Sequence, residues 1–319
     1  MKRSLPILAA LCALFVLLTA SPAVIRSASA GLRLCGELIV PSLFPFFVVS
    51  LLLAKLGFPQ LLGRKLSPLT RRLFGVSGPG ATALFIGLTG GYPMGAAYLA
   101  ELTEQGRISP REAERLLGFC NNSGPSFLVG AIGAGVFGSV RAGLLLYAAH
   151  ALAAVLAGIL LRDGGPDSRE EEAPAAALPP FSRALSEAVR GAVPAILSVC
   201  AFVLIFTVFT GLLEANGFLA PLSAKLSALS GLSEQQSRAL LLGFWELGGG
   251  AGALRGLSLS PTNLALAAAL VGWGGVSVHF QSLAVLAEGH EKSSPHLAGR
   301  ILSAFFSAGL AYGFSRLFL

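Results

Sequence analysis

The chain has 319 residues, of which 54% are hydrophobic and only 12% are charged, against about 25% charged residues in an ordinary soluble domain. This composition excludes a soluble globular enzyme, a disordered protein and a disulfide-stabilised scaffold. The sequence also contains 39 glycines and 18 prolines, so residues that break helices are frequent in an apolar chain. Together these features predict an all-α polytopic membrane protein in which several helices are interrupted.

The net charge of +7 comes from basic residues that flank apolar segments. In a soluble protein such a charge would indicate nucleic acid, but here it is typical of loops held in the cytoplasm. We therefore expect a multi-pass protein of the bacterial cytoplasmic membrane that contacts the lipid bilayer and no nucleic acid. The four cysteines are far apart, and their spacing favours neither disulfides nor a metal site.

The first predicted element is a membrane helix at residues 5–25, and the segment 26–33 is expected outside the cell. The sequence at 28–30 (Ala-Ser-Ala) resembles a signal-peptidase site, so cleavage remains an alternative to an uncleaved anchor. Further apolar segments follow at residues 37–54, 81–101, 116–137, 142–161, 192–213, 239–254, 264–287 and 298–318. The predicted organisation is an N-terminal helix, a first repeat, a hydrophilic linker and a second repeat, at residues 1–31, 32–161, 162–186 and 187–319.

An internal duplication divides the chain into these two repeats. Residues 57–69 align without gaps to residues 217–229, with seven identical positions among 13. Further along, Ser109-Pro110 corresponds to Ser260-Pro261, and each pair is predicted to start a helix. The order of segments is the same in both halves, so we interpret the sequence as a gene duplication.

The distribution of basic residues indicates how the repeats are oriented. Each repeat has four apolar segments, and four full crossings would make the repeats parallel. If the glycine-broken segment enters and leaves on one side, each repeat crosses three times and the repeats are inverted. The inverted arrangement places more of the 23 basic residues in the cytoplasm. We therefore predict two inverted repeats, each with a re-entrant helical hairpin and a broken transmembrane helix.

Helix breaks at mid-membrane need a physical reason. Unpaired backbone groups are costly in lipid, so such breaks persist only where they are buried in protein or line a water-filled cavity. The free N–H and C=O groups of half-helix ends form sites for polar or charged ligands. Two repeats with such breaks are the organisation expected of a secondary transporter.

Two motifs of the first repeat resemble a known family. They are GLTGGYPMGAAYLAEL, at residues 87–102, and ISPREAERLLGFCNNSGPSF, at residues 108–127. Both resemble the YlbJ-type sporulation integral membrane proteins. Both repeats also resemble the Gate, or nucleoside-recognition, domain shared with concentrative nucleoside transporters and the membrane part of ferrous-iron transporters. The resemblance covers about residues 32–319, and it implies an elevator-type or gated path lined by hairpin tips and unwound helices.

The breaks of the first repeat provide the first group of candidate substrate-binding residues, which comprises Thr89, Gly90, Gly91, Tyr92, Asn121, Asn122, Ser123 and Ser126. Backbone N–H groups and the Thr89 hydroxyl would face a ligand at the hairpin tip. The alternative is that Gly91 and Gly95 form a packed contact between helices. The adjacent Asn121 and Asn122 are costly at bilayer depth unless they are paired or hydrated. Internal capping of the broken helix is the structural alternative for them.

The second repeat provides the remaining candidates, which are Glu246, Ser277, His279 and Gln281. An acidic residue at membrane depth is a functional hypothesis by default, so Glu246 would bind a coupling cation, accept a proton or bond a polar solute. A buried pair with Arg255 or another polar neighbour is the alternative. A lone histidine such as His279 is more often structural, and both interpretations stay open.

No catalytic set is found, and the sequence predicts neither an enzyme nor a resident metal or cofactor. The Gly133-x-Gly135-x-x-Gly138 pattern lies in an apolar helix with no preceding strand, so we interpret it as small-residue packing. The leading hypothesis is a homo-oligomeric transporter of a small polar solute, with coupling to Na⁺ or H⁺ open. A non-transporting membrane scaffold for spore cortex or coat assembly is the alternative.

Overall fold

The computed structural model describes residues 4–162, 178–286 and 294–319, and within these ranges the chain is helical without β-strands. Five helical stretches in this part of the chain are long and apolar enough to cross a membrane. They are Ser21–Lys55, Val140–Leu160, Phe181–Ala215, Pro261–Val285 and Ser294–Phe318. The all-α, multi-pass architecture expected from composition is thereby confirmed.

The helices are numbered in chain order. They are α1 (Ser4–Thr19), α2 (Ser21–Leu34), α3 (Val40–Lys55), α4 (Phe58–Phe74), α5 (Gly78–Gly90), α6 (Met94–Glu104), α7 (Pro110–Cys120), α8 (Val140–Leu160), α9 (Phe181–Ala215), α10 (Leu219–Ser230), α11 (Glu234–Trp245), α12 (Leu247–Ala253), α13 (Pro261–Trp273), α14 (Gly275–Leu286) and α15 (Ser294–Phe318). Two π-helical segments are also present. Cys35–Ile39 joins α2 to α3, and Ser126–Val136 precedes α8.

Serine caps fix the starts of three helices, and those at Ser109 and Ser260 are at the predicted positions. The Ser109 hydroxyl accepts the Glu112 N–H at 3.1 Å at the start of α7, and Ser260 caps α13 in the same way. Ser233 and Gln236 form a complete capping box at α11. Each cap satisfies an N–H group that the first helical turn leaves without a partner.

The two longest helical stretches lie side by side and run in opposite directions. Residues 21–55 form one continuous run of 35 residues, and α9 has the same length. Lys55 Nζ lies 3.8 Å from a Glu187 carboxylate oxygen near the start of α9. Near the other end, a β-carbon on Gly211 would overlap the Ser27 hydroxyl. Contacts at both ends therefore define an antiparallel pair.

A second antiparallel pair is formed by α8 and α15. His150 Nδ1, in the middle of α8, lies 3.3 Å from the Ser307 hydroxyl, in the middle of α15. Gly118 of α7 is flanked by Leu161, at the end of α8, and by Pro295, at the start of α15. The end of one helix thus lies beside the start of the other.

Residues 26–33, which the sequence predicts to lie outside the cell between two apolar segments, are helical in the structure. This segment is part of the continuous run 21–55, so the predicted boundary at residue 31 falls inside a helix. Gly31 packs closely against Leu204 of α9, whereas Arg26 and Arg33 are exposed. The helix therefore continues through a charged segment because the small residue faces α9 and the arginines do not. Residues 163–177 of the predicted linker lie outside the described residues.

Candidate functional site

The first helical hairpin, formed by α5 and α6, touches the first helix break, which separates α7 from the π-helical segment Ser126–Val136. Gly91 lies in the hairpin turn with a φ of +84°, a conformation that favours glycine. A β-carbon there would lie 2.9 Å from the amide nitrogen of Gly124 in the break. The two backbones can approach this closely because both positions lack a side chain.

The second half contains an equivalent contact. Its helical hairpin is formed by α11 and α12, with Glu246 between them, and its break separates α13 from α14. A β-carbon on Gly275, at the second break, would lie 3.0 Å from the Leu247 amide nitrogen. Each hairpin turn therefore packs against the break of its own half.

A small cleft of about 40 Å³ lies where the two hairpins and the two breaks meet. Its polar lining comes from both halves and consists of Tyr92, Ser123, Glu246 and Gln281. Its apolar walls are formed mainly by Ile39, Leu43, Phe127, Val199, Val203 and Val278. The structure thus brings predicted site residues that are distant in sequence to one place.

Glu246 is held in the cleft by backbone groups. Its side chain is 4% exposed, and its carboxylate accepts the N–H groups of Gly248 at 2.8 Å and Gly249 at 2.5 Å. Within the described ranges no basic side chain pairs with it, and Arg255, the predicted alternative partner, is exposed. The two N–H bonds position a carboxylate that retains capacity to accept further hydrogen bonds.

Gln281 brings an unpaired acceptor to the same cleft. It is 2% exposed, and its Nε2 donates to the Ser277 hydroxyl at 3.1 Å. Its Oε1 has no hydrogen-bond partner among the described residues, and neither has the buried Ser126 hydroxyl. Since buried polar atoms are normally paired, these atoms mark a place for a water or a polar ligand.

Tyr92 connects the cleft to a buried arginine. Its hydroxyl accepts a hydrogen bond from Arg300 Nη1 at 2.8 Å and donates to the Val271 carbonyl at 3.2 Å. Arg300 lies on α15 and is fully buried. One side chain of the first hairpin is therefore bonded to two helices of the second half.

Asn121 and Asn122 lie in the first break and make hydrogen bonds within the protein. Asn121 Nδ2 donates to the Ser282 hydroxyl at 2.5 Å, and its Oδ1 accepts the Ala96 N–H at 3.4 Å. Asn122 Nδ2 donates to the Phe119 carbonyl at 2.7 Å. Both residues are fully buried, and neither lines the cleft. Asn122 thus caps the end of the broken helix, whereas Asn121 joins the break to α6 and α14, and ligand contact by either residue stays a prediction.

The other predicted residues lie around the cleft rather than in its lining. The Thr89 hydroxyl donates to the Phe85 carbonyl of its own helix at 2.8 Å, and Gly90 ends α5. His279 Nδ1 lies 3.0 Å from His296 Nε2, whose ring also contacts the Leu117 carbonyl through Nδ1 at 3.4 Å. Because the carbonyl only accepts, His296 donates to it and His279 donates to His296.

Sequence reasoning missed Arg300 and His296 as parts of this region. The available signal for Arg300 was a charged residue beside a glycine within the apolar segment 298–318. That pattern is also typical of a basic residue at the end of a membrane helix. Its burial depends on α7 and Tyr92, which lie far away in the sequence.

Comparison with known proteins places these features in context. The chain is 29% identical to the sporulation integral membrane protein YlbJ of Bacillus subtilis (strain 168) over 307 residues, covering 89% of this chain and 75% of that protein. The resemblance seen in the first-repeat motifs is confirmed. No family model matches the chain.

Solved structures of the concentrative nucleoside transporter CNTnw share the fold. A variant in an outward-facing state matches with a TM-score of 0.59 and 17% identity, covering 88% of this chain and 76% of that chain. An inward-facing, substrate-bound state matches with a TM-score of 0.59 and 18% identity, covering 86% and 75%. This chain is therefore a multi-pass integral protein of the cell membrane with a fold like that of CNTnw.

Proposed function

We propose that this protein moves a small polar solute across the cytoplasmic membrane through the central cleft, by an elevator or gated mechanism. The observation that carries the proposal is the meeting of two hairpin turns and two helix breaks at one cleft, which is lined by the Glu246 carboxylate and by Gln281 with its unpaired Oε1. Broken helices at repeat interfaces form the substrate sites of many secondary transporters. The similarity to CNTnw, solved in outward-facing and inward-facing states, supports the same architecture.

The proposal includes two inverted repeats. Corresponding helices of the two halves run in opposite directions in both antiparallel pairs, namely residues 21–55 with α9 and α8 with α15. In a parallel duplication corresponding helices would run in the same direction. The contacts at Lys55–Glu187 and His150–Ser307 thus support the inverted arrangement.

The proposal also includes re-entrant hairpins. The helices of the first hairpin have 13 and 11 residues, and those of the second have 12 and 7. At 1.5 Å per residue each is about 20 Å long or less, which is shorter than the ~30 Å hydrocarbon core. Each pair would therefore enter and leave on one side, with its turn inside the membrane.

The cleft lining indicates the class of solute. The Glu246 carboxylate and the Gln281 Oε1 accept hydrogen bonds, and no basic side chain is among the lining residues. The solute would therefore carry amine or hydroxyl donors on one edge and an apolar face on the other. Nucleosides fit this description, whereas a dicarboxylate would be repelled by an ionised Glu246. The same carboxylate would bind Na⁺ or accept a proton if transport is coupled.

A thermal-shift screen of the purified protein tests the proposal. Nucleosides, amino acids, dicarboxylates and metal ions would be compared on the wild type and on Gln281→Leu, since a specific ligand stabilises the folded state by mass action. We expect donor-bearing solutes to stabilise the wild type more than the variant, and to be taken up by proteoliposomes. Absence of flux for every stabilising solute would overturn the transport proposal.

A non-transporting scaffold is the second candidate. It is favoured by the internal hydrogen bonds of Asn121 and Asn122, which leave these amides no free role at the first break. The relative from Bacillus subtilis is named for sporulation, so such a scaffold would serve spore cortex or coat assembly. A scaffold would produce no solute flux in liposomes.

A further inference from the structure

Arg300 is a buried cation whose hydrogen-bond partners in the described part of the chain are all oxygen atoms. Nη1 donates to the Tyr92 hydroxyl at 2.8 Å, and Nη2 donates to the Gly118 carbonyl at 2.9 Å. Longer contacts from Nη2 reach Asn122 Oδ1 at 3.5 Å and the Ser303 hydroxyl at 3.4 Å. Among the described residues none of these partners is a carboxylate, so the hydrogen bonds that Arg300 makes there are to dipoles, and its buried Nε has no partner among them.

The oxygen atoms around Arg300 belong mainly to the first break and to the hairpin turn that touches it. Gly118 lies in the last turn of α7, where the final carbonyls lack helical partners and carry partial negative charge. Asn122 lies inside the break, and Tyr92 follows Gly91 in the turn. In secondary transporters, unwound carbonyls and half-helix C-terminal ends of this kind coordinate Na⁺.

The approach of α15 to this break depends on small residues. A β-carbon on Gly299 would overlap the carbonyl group of Gly118, so the two helix backbones are in contact beside Arg300. The guanidinium therefore reaches the end of α7 from an adjacent helix, without a water layer between the backbones. Arg316, on the same helix, is exposed and offers a matched comparison.

We propose that Arg300 is the built-in cation of the first break, taking the place that an inorganic cation would occupy among these oxygen atoms. The first half then needs no Na⁺ to hold its hairpin turn against its break. The inference is independent of the transport proposal, because a scaffold with this fold would hold its break in the same way. Coupling of transport to a cation at Glu246, in the second half, does not depend on Arg300.

The first test measures whether inorganic cations stabilise the protein. Melting temperatures of the wild type and of Glu246→Gln would be compared in NaCl, KCl, LiCl and choline chloride at equal ionic strength. We expect Glu246→Gln to show no saturable dependence on any of these cations, since Arg300 occupies the remaining site. A saturable Na⁺ stabilisation that persists in Glu246→Gln would overturn the proposal.

The second test removes the guanidinium group by substitution of Arg300. Arg300→Ala removes it and leaves space, whereas Arg300→Met removes the charge and fills the space. We expect both to melt at lower temperature, and only Arg300→Ala to regain stability, saturably, with guanidinium below denaturing concentration or with Na⁺. Arg316→Ala measures the general effect of each salt. Equal responses of Arg300→Ala and Arg300→Met would overturn the proposal.

Arg300→Lys covers the case in which Arg300→Ala does not fold. It keeps a positive charge near the same oxygen atoms, so we expect a folded protein that is insensitive to added cations. A Lys variant that unfolds like Arg300→Met would contradict a role based on charge. The cation series on Glu246→Gln decides the question independently of every Arg300 variant.

Discussion

The Arg300 guanidinium donates to the Tyr92 hydroxyl across 2.8 Å, and this bond joins residues that are 208 positions apart in the sequence. The same hydroxyl donates to the Val271 carbonyl at the end of α13. Tyr92 therefore ties the first hairpin turn to two helices of the second half. Because Tyr92 also lines the cleft, this link connects the shape of the cleft to the packing of the breaks.

Tyr92→Phe is expected to lower the free energy of unfolding by about 1–3 kcal/mol, since it leaves a buried charge and a buried carbonyl without their shared partner. Tyr312→Phe is the matched control, because Tyr312 is 46% exposed on α15. Denaturant unfolding in detergent measures both variants. Equal stabilities of the two would show that the Tyr92 hydroxyl does not hold the halves together.

Gly299→Ala and Gly309→Ala test the contact between α7 and α15. Both change the same helix in the same way, but only the first places a methyl group against Gly118, while the second meets no atom within 4 Å. Gly309→Ala should stabilise the protein by about 0.5–1 kcal/mol through helix propensity. Gly299→Ala should destabilise it by about 1–3 kcal/mol through overpacking. Similar melting temperatures for the two variants would contradict the close helix crossing.

Glu246→Gln should reduce solute binding and uptake by at least about tenfold, because a hydrogen bond to a charged group contributes about 1.5–3 kcal/mol. The amide oxygen can still accept one of the two backbone N–H groups that the carboxylate binds, so we expect the fold to be retained at somewhat lower stability. Glu37→Gln, at an exposed carboxylate, is the control. Unchanged uptake by Glu246→Gln would remove this residue from the solute site.

The inverted-repeat proposal predicts opposite locations for two corresponding loops. Gln105, before α7, and Ser258, before α13, are both exposed. In a variant without the four native cysteines, an impermeant thiol reagent should label Gln105→Cys from the cytoplasmic face and Ser258→Cys from the outer face. Labelling of both from one face would require parallel repeats.

Local chemistry explains why the helix breaks were predictable from the sequence. Glycine and proline occur together at residues 90–93 and 124–125, a combination that favours a helix break, and Ser109 caps the helix that follows it. The cleft position of Glu246 follows from the same logic, since a carboxylate inside an apolar segment needs a polar setting.

Long-range packing explains what the sequence did not reveal. Nothing local distinguishes Arg300 from a basic residue at a membrane interface, because its partners come from α7 and the first hairpin. Similarly, the sequence shows that Asn121 needs a partner but not that Ser282, 161 positions away, provides it. The helix at residues 21–55 continues past its arginines because its other face packs on α9.

Alternating access to Ser123, which lines the cleft and is 2% exposed, tests the central claim without knowledge of the solute. Ser123→Cys in the background without native cysteines would be treated with an impermeant thiol reagent, in sealed vesicles of each orientation. A transporter exposes its cleft to each side in turn, so we predict labelling from both faces, with Gln105→Cys and Ser258→Cys labelled from one face each. Labelling of Ser123→Cys from one face, or from neither, would contradict transport through this cleft.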